Sequence, residues 1–244
     1  MLSVRTGAPT ASGMADQTLP PARRAIGNKK DDVYDRLVAR LMRAEFAFGD
    51  RILVKELAGQ LGVSRQPVMT ALNRLDSEGF VRIIPQVGCQ VVDPTLEEIG
   101  DFFLMFQRLE GLLSELAAQR RTDAELRELK RIQAQIVALD GEAEDGAATY
   151  TDLNRAFHGV IHQMARSPLL DERQRANFNM ADFFINHSAG FGRLMTGTEP
   201  EHDAIIDAIA RQAPDRARAV AEVHIGSVAN NVLRALESNQ QAAA

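Results

Sequence analysis

The 244-residue chain has no tryptophan and a single cysteine, Cys89. One thiol excludes an intrachain disulfide, and with no Cys cluster any metal site has to be built from His nitrogen and oxygen ligands. No apolar run approaches the roughly 20 residues needed to cross a bilayer. The N-terminus also lacks the charged, apolar, then small-residue order of a signal peptide, so a cytoplasmic protein without a membrane partner is expected. No repeat of fixed period is visible, His-Glu-X-X-His is absent, and Gly190 and Gly192 form no phosphate loop.

What is present is unevenly spread. The net charge of -5 hides a front of residues 21–93 with 12 Lys or Arg against 9 Asp or Glu, and a rear of residues 94–244 with 15 against 23. A mildly basic front joined to an acidic rear suits a front that meets phosphates. With 45% hydrophobic residues the chain can build a sizeable core.

Residues 1–30, rich in Gly, Ala, Pro, Ser and Thr, read as a disordered arm ending in Arg23, Arg24, Lys29 and Lys30. From Asp32, Val33, Leu37, Val38, Leu41 and Met42 recur at helical spacing up to a turn at Phe48-Gly49-Asp50. An extended Arg51–Val54 follows, then helices near 55–61 and 65–77 split by Gly62-Val63-Ser64, with Ser64 as cap and Pro67 tolerated in the first turn. Phe80–Ile84 and Gly88–Val92 read as two strands around a turn at Pro85, Gln86 and Val87. Cys89 reads as a small strand residue in preference to a redox switch.

After Asp93-Pro94 the texture changes to long amphipathic helices near 96–119, 123–139, 148–165, 168–188, 199–211 and 214–238, with an acidic loop at 140–147. The fold expected is mainly α: an N-terminal winged helix-turn-helix over 31–93, then an antiparallel six-helix ligand-binding bundle over 94–244.

A helix-turn-helix buries one face of its second helix and keeps the opposite face free for the major groove. Val68, Ala71, Leu72 and Leu75 supply the packing face, leaving Arg65, Gln66, Met69, Thr70 and Asn73 outward. Arg and Gln can pair in two-pronged fashion with guanine and adenine edges, and Thr can touch a phosphate or a thymine methyl. The bland alternative is a solvated face on a core-building helix. In the rear, Asn154 and His158 lie one turn apart on a helix, so their Cβ atoms are about 5–6 Å apart on one face. His202 and His224 sit on later helices that an antiparallel bundle can bring to the same point. Such a set suits zinc, nickel or manganese; scattered surface or satisfied core histidines are the alternative.

The stretch LVKELAGQLGVSRQPVMTALNRLDSEGFVRIIPQVGCQVV resembles the winged helix-turn-helix of GntR-type bacterial transcription regulators, over about residues 33–93. The carrying positions are Ser64, Arg65, Pro67, Val68, Ala71, Leu72, Arg74 and Leu75. The resemblance implies that Lys55, Ser64, Arg65, Gln66 and Thr70 face DNA and that Gly88 sits at the wing tip. Many relatives carry Arg and Glu at the positions of Met69 and Thr70, so either the operator differs from the family's usual one or binding rests more on Arg65, Lys55 and backbone contacts. NRAFHGVIHQMARSPLL, EHDAIIDAIA and DRARAVAEVHIGSV are similar to the FCD-type ligand-sensing domain of the FadR-like branch, with a VanR-like grouping left open. That resemblance implies a divalent metal, zinc first, on Asn154, His158, His202 and His224. Asn stands where an Asp is common, which weakens or abolishes the site, and His162, one turn beyond His158, is a neighbour behind that ligand or a solvated residue in preference to a substitute ligand. The family's carboxylate-gripping Arg falls at Phe106 here, and Arg108, about 200° around the helix from Glu110, cannot simply replace it; both remain candidate effector contacts.

The reading is a homodimeric repressor, not an enzyme, that binds a double-stranded inverted-repeat operator and is released by a small, carboxylate-bearing metabolite. A structural DNA-binding protein with a dimerisation bundle, and a metal-dependent hydrolase, are the alternatives.

Overall fold

The computed structural model describes residues 29–85, 88–139, 146–190 and 198–243. The N-terminal arm up to residue 28, Gln86 and Val87 of the wing turn, residues 140–145 of the acidic loop, and Gly192 lie outside them.

Helix α1 (Lys29–Met42) buries Val33, Leu37 and Leu41 as one stripe. It ends before the expected turn at Phe48, because Ala44 adopts a positive φ of 50° and breaks the helical path. The irregular segment beyond is held by Glu45, which accepts from Arg40 and Arg43 at 2.7 and 2.8 Å, and by Asp50, which accepts from the Ala47 N–H at 2.8 Å. Strand β1 is only Arg51–Ile52, since α2 (Val54–Leu61) has already begun where an extended residue was expected. Gly62, at φ 66°, takes the left-handed conformation that lets the chain reverse into α3 (Arg65–Ser77). Strands β2 (Val81–Ile84) and β3 (Gly88–Val91) follow. The expected two-stranded wing is a three-stranded antiparallel sheet of order β1-β3-β2, because Arg51 and Ile52 pair with the free edge of β3. Cys89 lies between Ile52 and Ile83, and burial pushes its thiol up to about 11, with Asp76 adding to the shift. A buried thiol with so little thiolate character is unreactive.

The rear is a bundle of α4 (Leu96–Arg120), α5 (Asp123–Val137), α6 (Gly146–Met164), α7 (Pro168–Ser188), α8 (Glu199–Ala210) and α9 (Pro214–Ala243). This is the mainly α, winged head and helical bundle that the sequence predicts, with α9 running five residues past its expected end. Thr95 with Glu98, and Thr122 with Glu125, form reciprocal capping boxes that fix where α4 and α5 start. Helix α4 packs along α9, and Gly111 allows the closest approach: a Cβ there would lie 2.7 Å from the Cγ of Glu222.

Head and bundle meet through aromatic rings. Phe48 stacks on His187 at 4.6 Å and meets Phe183 edge-on at 5.6 Å, while Phe80 meets Phe183 at 5.4 Å. The Phe46 carbonyl lies 2.9 Å from Nε2 of His187. The early end of α1 brings Phe46 and Phe48 to this seam.

Arg166 grips Glu125 across the α5–α6 pair, and this hydrogen bond with the capping box holds the Glu125 carboxyl down to about 2. A carboxyl lowered in the folded state contributes stability above its unfolded value near 4.5, and loses it as pH falls toward 2. Glu125 is half-buried and its partner Arg166 is 45% exposed, so with solvent screening Glu125→Ala is expected to cost only about 1 kcal/mol at pH 7. In urea titrations the difference from the parent should shrink as pH falls below about 4.5 and be lost only below about pH 2; a gap unchanged between pH 7 and pH 3 contradicts this assignment.

Candidate metal centre and groove-facing helix

Helix α3 turns Val68, Ala71, Leu72 and Leu75 into the core and leaves Ser64, Arg65, Gln66, Thr70 and Asn73 exposed. Met69 departs from its expected outward place: it is half-buried and packs against the core, at the edge of the apolar face. Ser64 occupies the N-cap position with extended backbone, but its hydroxyl makes no capping bond. Pro67, three residues on, has no N–H to offer it. The Thr70 hydroxyl donates back to the Gln66 carbonyl at 3.1 Å, so its methyl is the outward group in this rotamer. Lys55 is exposed at the start of α2, and Gly88, at φ 127°, opens β3 with nothing within 4 Å of a Cβ built there.

In the bundle, α6 brings His158, α8 His202 and α9 His224 together, each offering one nitrogen within 4.8 Å of the others. All three are buried. Each Nδ1 is engaged: His158 with Glu110 Oε1 at 2.7 Å, His202 with Gln133 Oε1 at 3.1 Å, and His224 with Glu201 Oε2 at 2.8 Å. The Gln133 amide orientation follows from its NH2, which donates to the Glu199 carbonyl and to Asp203, both at 3.2 Å. The Gln133 oxygen must then accept from His202 Nδ1–H, leaving His202 Nε2 as a bare lone pair. The buried Nε2 atoms of His158 and His202 have no hydrogen-bond partner among the described residues, nor has Oδ1 of Asn154 one turn before His158. Buried lone pairs without a donor each cost about 1–3 kcal/mol. A divalent cation would satisfy the imidazole nitrogens, and three imidazoles with the neutral Asn154 oxygen as a candidate fourth donor suit a borderline ion such as zinc, nickel or manganese.

The electrostatics support neutral ligands. Burial lowers the His202 pKa well below the usual value, with His224 and His158 adding to the effect, and burial likewise lowers His158 against the pull of Glu110. Glu110 is completely buried, and burial works to raise its pKa. The neighbouring His162 and His158 prevail and hold it well below the carboxylate range. His162 faces two carboxylates, Glu110 at 3.0 Å and Asp171 at 3.2 Å, which together raise its pKa despite its burial. Gln174 adds a third donor to Glu110 at 2.8 Å. His162 therefore stands behind the imidazole cluster rather than in it.

Asn154, His158 and His224 also line a cavity of about 40 Å³ walled by Phe106, Phe178, Ile185, Ile225 and Val228. Tyr150 and Thr198, 2.9 Å apart through their hydroxyls, and Asp182 complete the lining. Of the two effector candidates, Phe106 is in this wall, whereas Arg108 is on the outer face of α4, its side chain 62% exposed and paired with Glu222. Helix geometry explains the difference: Phe106 shares the inward stripe with Phe103 and Glu110, and Arg108 points the other way. Glu110, Gln133, Asp182 and Glu201 were missed by the sequence reading. Their signal was a polar residue inside an apolar stripe, as with Gln133 among Leu129, Ile132 and Ile136.

The head of three helices and a wing is thus docked on a bundle that encloses a His cluster. Residues 29–91 match the family described as bacterial regulatory proteins, gntR family, and residues 101–227 match the FCD domain. The chain belongs to the gntR family of bacterial regulatory proteins and carries an FCD domain behind the head. It is 34% identical over 113 residues to the Nta operon transcriptional regulator of Aminobacter aminovorans, covering 46% of this chain and 52% of that protein. It is 24% identical over 249 residues to the transcriptional repressor NanR of Citrobacter rodentium, covering 90% of each. The chain thus spans only about half the length of the Nta regulator, and 57% of the Bacillus subtilis regulator YdhC. Among solved structures, Escherichia coli McbR/YncC has a TM-score of 0.62 at 20% identity over 82% of this chain and 94% of its own. A GntR regulator from Rhodococcus sp. RHA1 has a TM-score of 0.63 at 19% identity, over 85% and 98%.

Removing a buried charge's partner is costly, so Glu110→Ala, which strips acceptors from His158, His162 and Gln174, is expected to lower stability by about 3–5 kcal/mol. Urea unfolding followed by circular dichroism measures it; a loss below about 1 kcal/mol means that the network does not hold the bundle.

Proposed function

We propose that this protein is a DNA-binding transcription repressor that occupies an inverted-repeat operator as a homodimer and leaves it when a carboxylate-bearing metabolite enters the bundle. One observation carries the proposal: helix α7 is at once a wall of the cavity, through Phe178, Ala181, Asp182 and Ile185, and the seat of the head, through Phe183 and His187. A ligand that favours one placement of α7 must therefore favour one placement of the head, which is the differential affinity that such regulation requires.

In this reading Arg65 and Gln66 meet base edges, Lys55, Ser64 and Thr70 meet backbone or thymine methyl groups, and Gly88 lets the wing approach a neighbouring groove. Met69, drawn into the core, leaves Arg65 as the main two-pronged base reader on α3. Asn154, His158, His202 and His224 would hold the divalent ion, zinc first. When bound, the ion supplies a Lewis-acid anchor for an anionic effector. Glu110, Gln133 and Glu201 orient the imidazoles behind it. The repressor sense is supported by the name of the NanR relatives, which match along most of both chains. Leu104, Met105 and Leu112 of α4 and Val223 of α9 are exposed on the outer side of the bundle. A second copy of the chain, related by a two-fold axis, covers such a stripe with its own equivalent.

Two measurements test this. Arg65→Ala is expected to weaken binding to a duplex selected from a random pool by about 5- to 150-fold, the equivalent of about 1–3 kcal/mol, with little change on unselected DNA; selective affinity left intact overturns the reading of α3. Replacing Leu104 and Leu112 together by Glu is expected to yield a folded monomer by light scattering, and a persistent dimer rules out this face.

A further inference from the structure

The cavity of about 40 Å³ inside the bundle has room for about three water molecules. A metabolite of more than a few heavy atoms enters it only if a wall gives way. On the outer side of α6 and α7 lies an open groove of about 600 Å³, bordered by Glu128 and Ile132 of α5 and by Arg155, Gly159 and Asn179. His158 and Phe178 border both spaces, so an imidazole and a phenyl ring form part of the partition between them. Phe178 is 8% exposed and meets Phe106 of the cavity wall edge-on at 4.9 Å.

Polar bridges hold α6 against α7 beside this partition. Toward the turn that joins the two helices, His162 lies 3.2 Å from Asp171. Farther from that turn, Arg155 donates from Nε to Asp182 at 2.7 Å, from one terminal nitrogen to the same carboxylate, and from the other to Asn179 Oδ1 at 2.9 Å. The turn ties one end of the slit covalently, so Arg155 is the fastening at the other. Its side chain, 39% exposed, is at the solvent edge. Gly159 adds an independent sign. It sits in the interior of α6, where glycine weakens a helix relative to alanine, yet a Cβ built there meets nothing within 4 Å. No described neighbour demands a glycine at that position, and its small size keeps the groove open beside His158.

We infer that the effector reaches the cavity from this groove by parting α6 from α7, with Arg155 as the latch that keeps the slit shut and Phe178 as the ring that moves aside. This rests on the effector role of the cavity given above. Breaking the charge-assisted bonds of Arg155 frees the end of the slit away from the turn, and the groove is the space into which Phe178 turns. Because α7 also seats the head, an occupant that keeps the slit parted holds α7 away from its resting place.

The test reads access to the cavity with no effector present. Cys89 is the one native cysteine, and it is buried with its thiol pushed up to about 11, so the parent chain gives little background. Ala181 is 2% exposed and lines the cavity, and Ala181→Cys places a reporter thiol there. The rate at which methyl methanethiosulfonate labels that thiol in the full-length protein, with a chelator present, is followed by mass spectrometry. Arg155→Met keeps the length of the side chain and removes its donors, and is expected to raise the rate at least about tenfold. Adding Gly159→Trp, which fills the groove, should reverse most of that gain. Ile209→Val, a core change on α8 that leaves Arg155 in place, is the control for general loosening, and an equal rise there overturns the latch. An unchanged rate in Arg155→Met, or one that Gly159→Trp leaves high, overturns the inference while the effector role of the cavity stands, since that role fails only if no small molecule shifts DNA binding.

Discussion

A carboxylate taken completely out of water has to be surrounded by donors, and Glu110 shows how much of this molecule that requirement organises. Its two oxygens take His158, His162 and Gln174, which come from α6 and α7, so the central helix α4 is tied to two neighbours through one side chain. The same contacts set proton positions. With Nδ1–H of His158 given to Glu110, its Nε2 is left as a lone pair inside the bundle, and Gln133 does the same for His202. The convergence of bare nitrogens thus follows from the acceptors behind them, and truncating one acceptor would release both a charge and a ring orientation.

The same economy appears in α7. Its residues at 178, 181, 182 and 185 face the cavity, and 183 and 187 face the head. The two sets lie on different sides of one rigid element. Aromatic contacts between close-packed rings are poorly deformable, so a shift of α7 is passed on as a change of seat rather than absorbed. The short α1, ended by the positive φ at Ala44, is part of this arrangement, because it frees Phe46 and Phe48 to reach α7.

Much of this was legible in the sequence, and the failures have physical reasons. Helical texture located the bundle helices among the described residues to within about five residues at either end, without use of the caps at Thr95 and Thr122 that fix two of the starts. The Asn154–His158 spacing and two later histidines pointed to a cluster, and the three imidazoles do converge. What periodicity could not show is which face of a helix a single residue joins when it sits at the edge of the stripe. Met69, expected outward, is half-buried for that reason, whereas Arg108 lies outside as its helical angle from Glu110 implies. Nor does the sequence say where a two-residue strand goes: β1 is too short to carry a pattern and was placed by the free edge of β3. The Ser64 hydroxyl was readable but misread, because the consequence of Pro67 for capping is a matter of a missing hydrogen.

The neutral Asn154 has a consequence for what the cavity can attract. An ion held by three neutral imidazoles and an amide oxygen would keep its whole charge toward the cavity, whereas an Asp at 154 would cancel part of it at the ligand itself. Glu110 and Glu201 still compensate, but from behind the rings, so their charge is felt less on the cavity side. The amide therefore weakens the hold on the ion while strengthening the ion's pull on an anion.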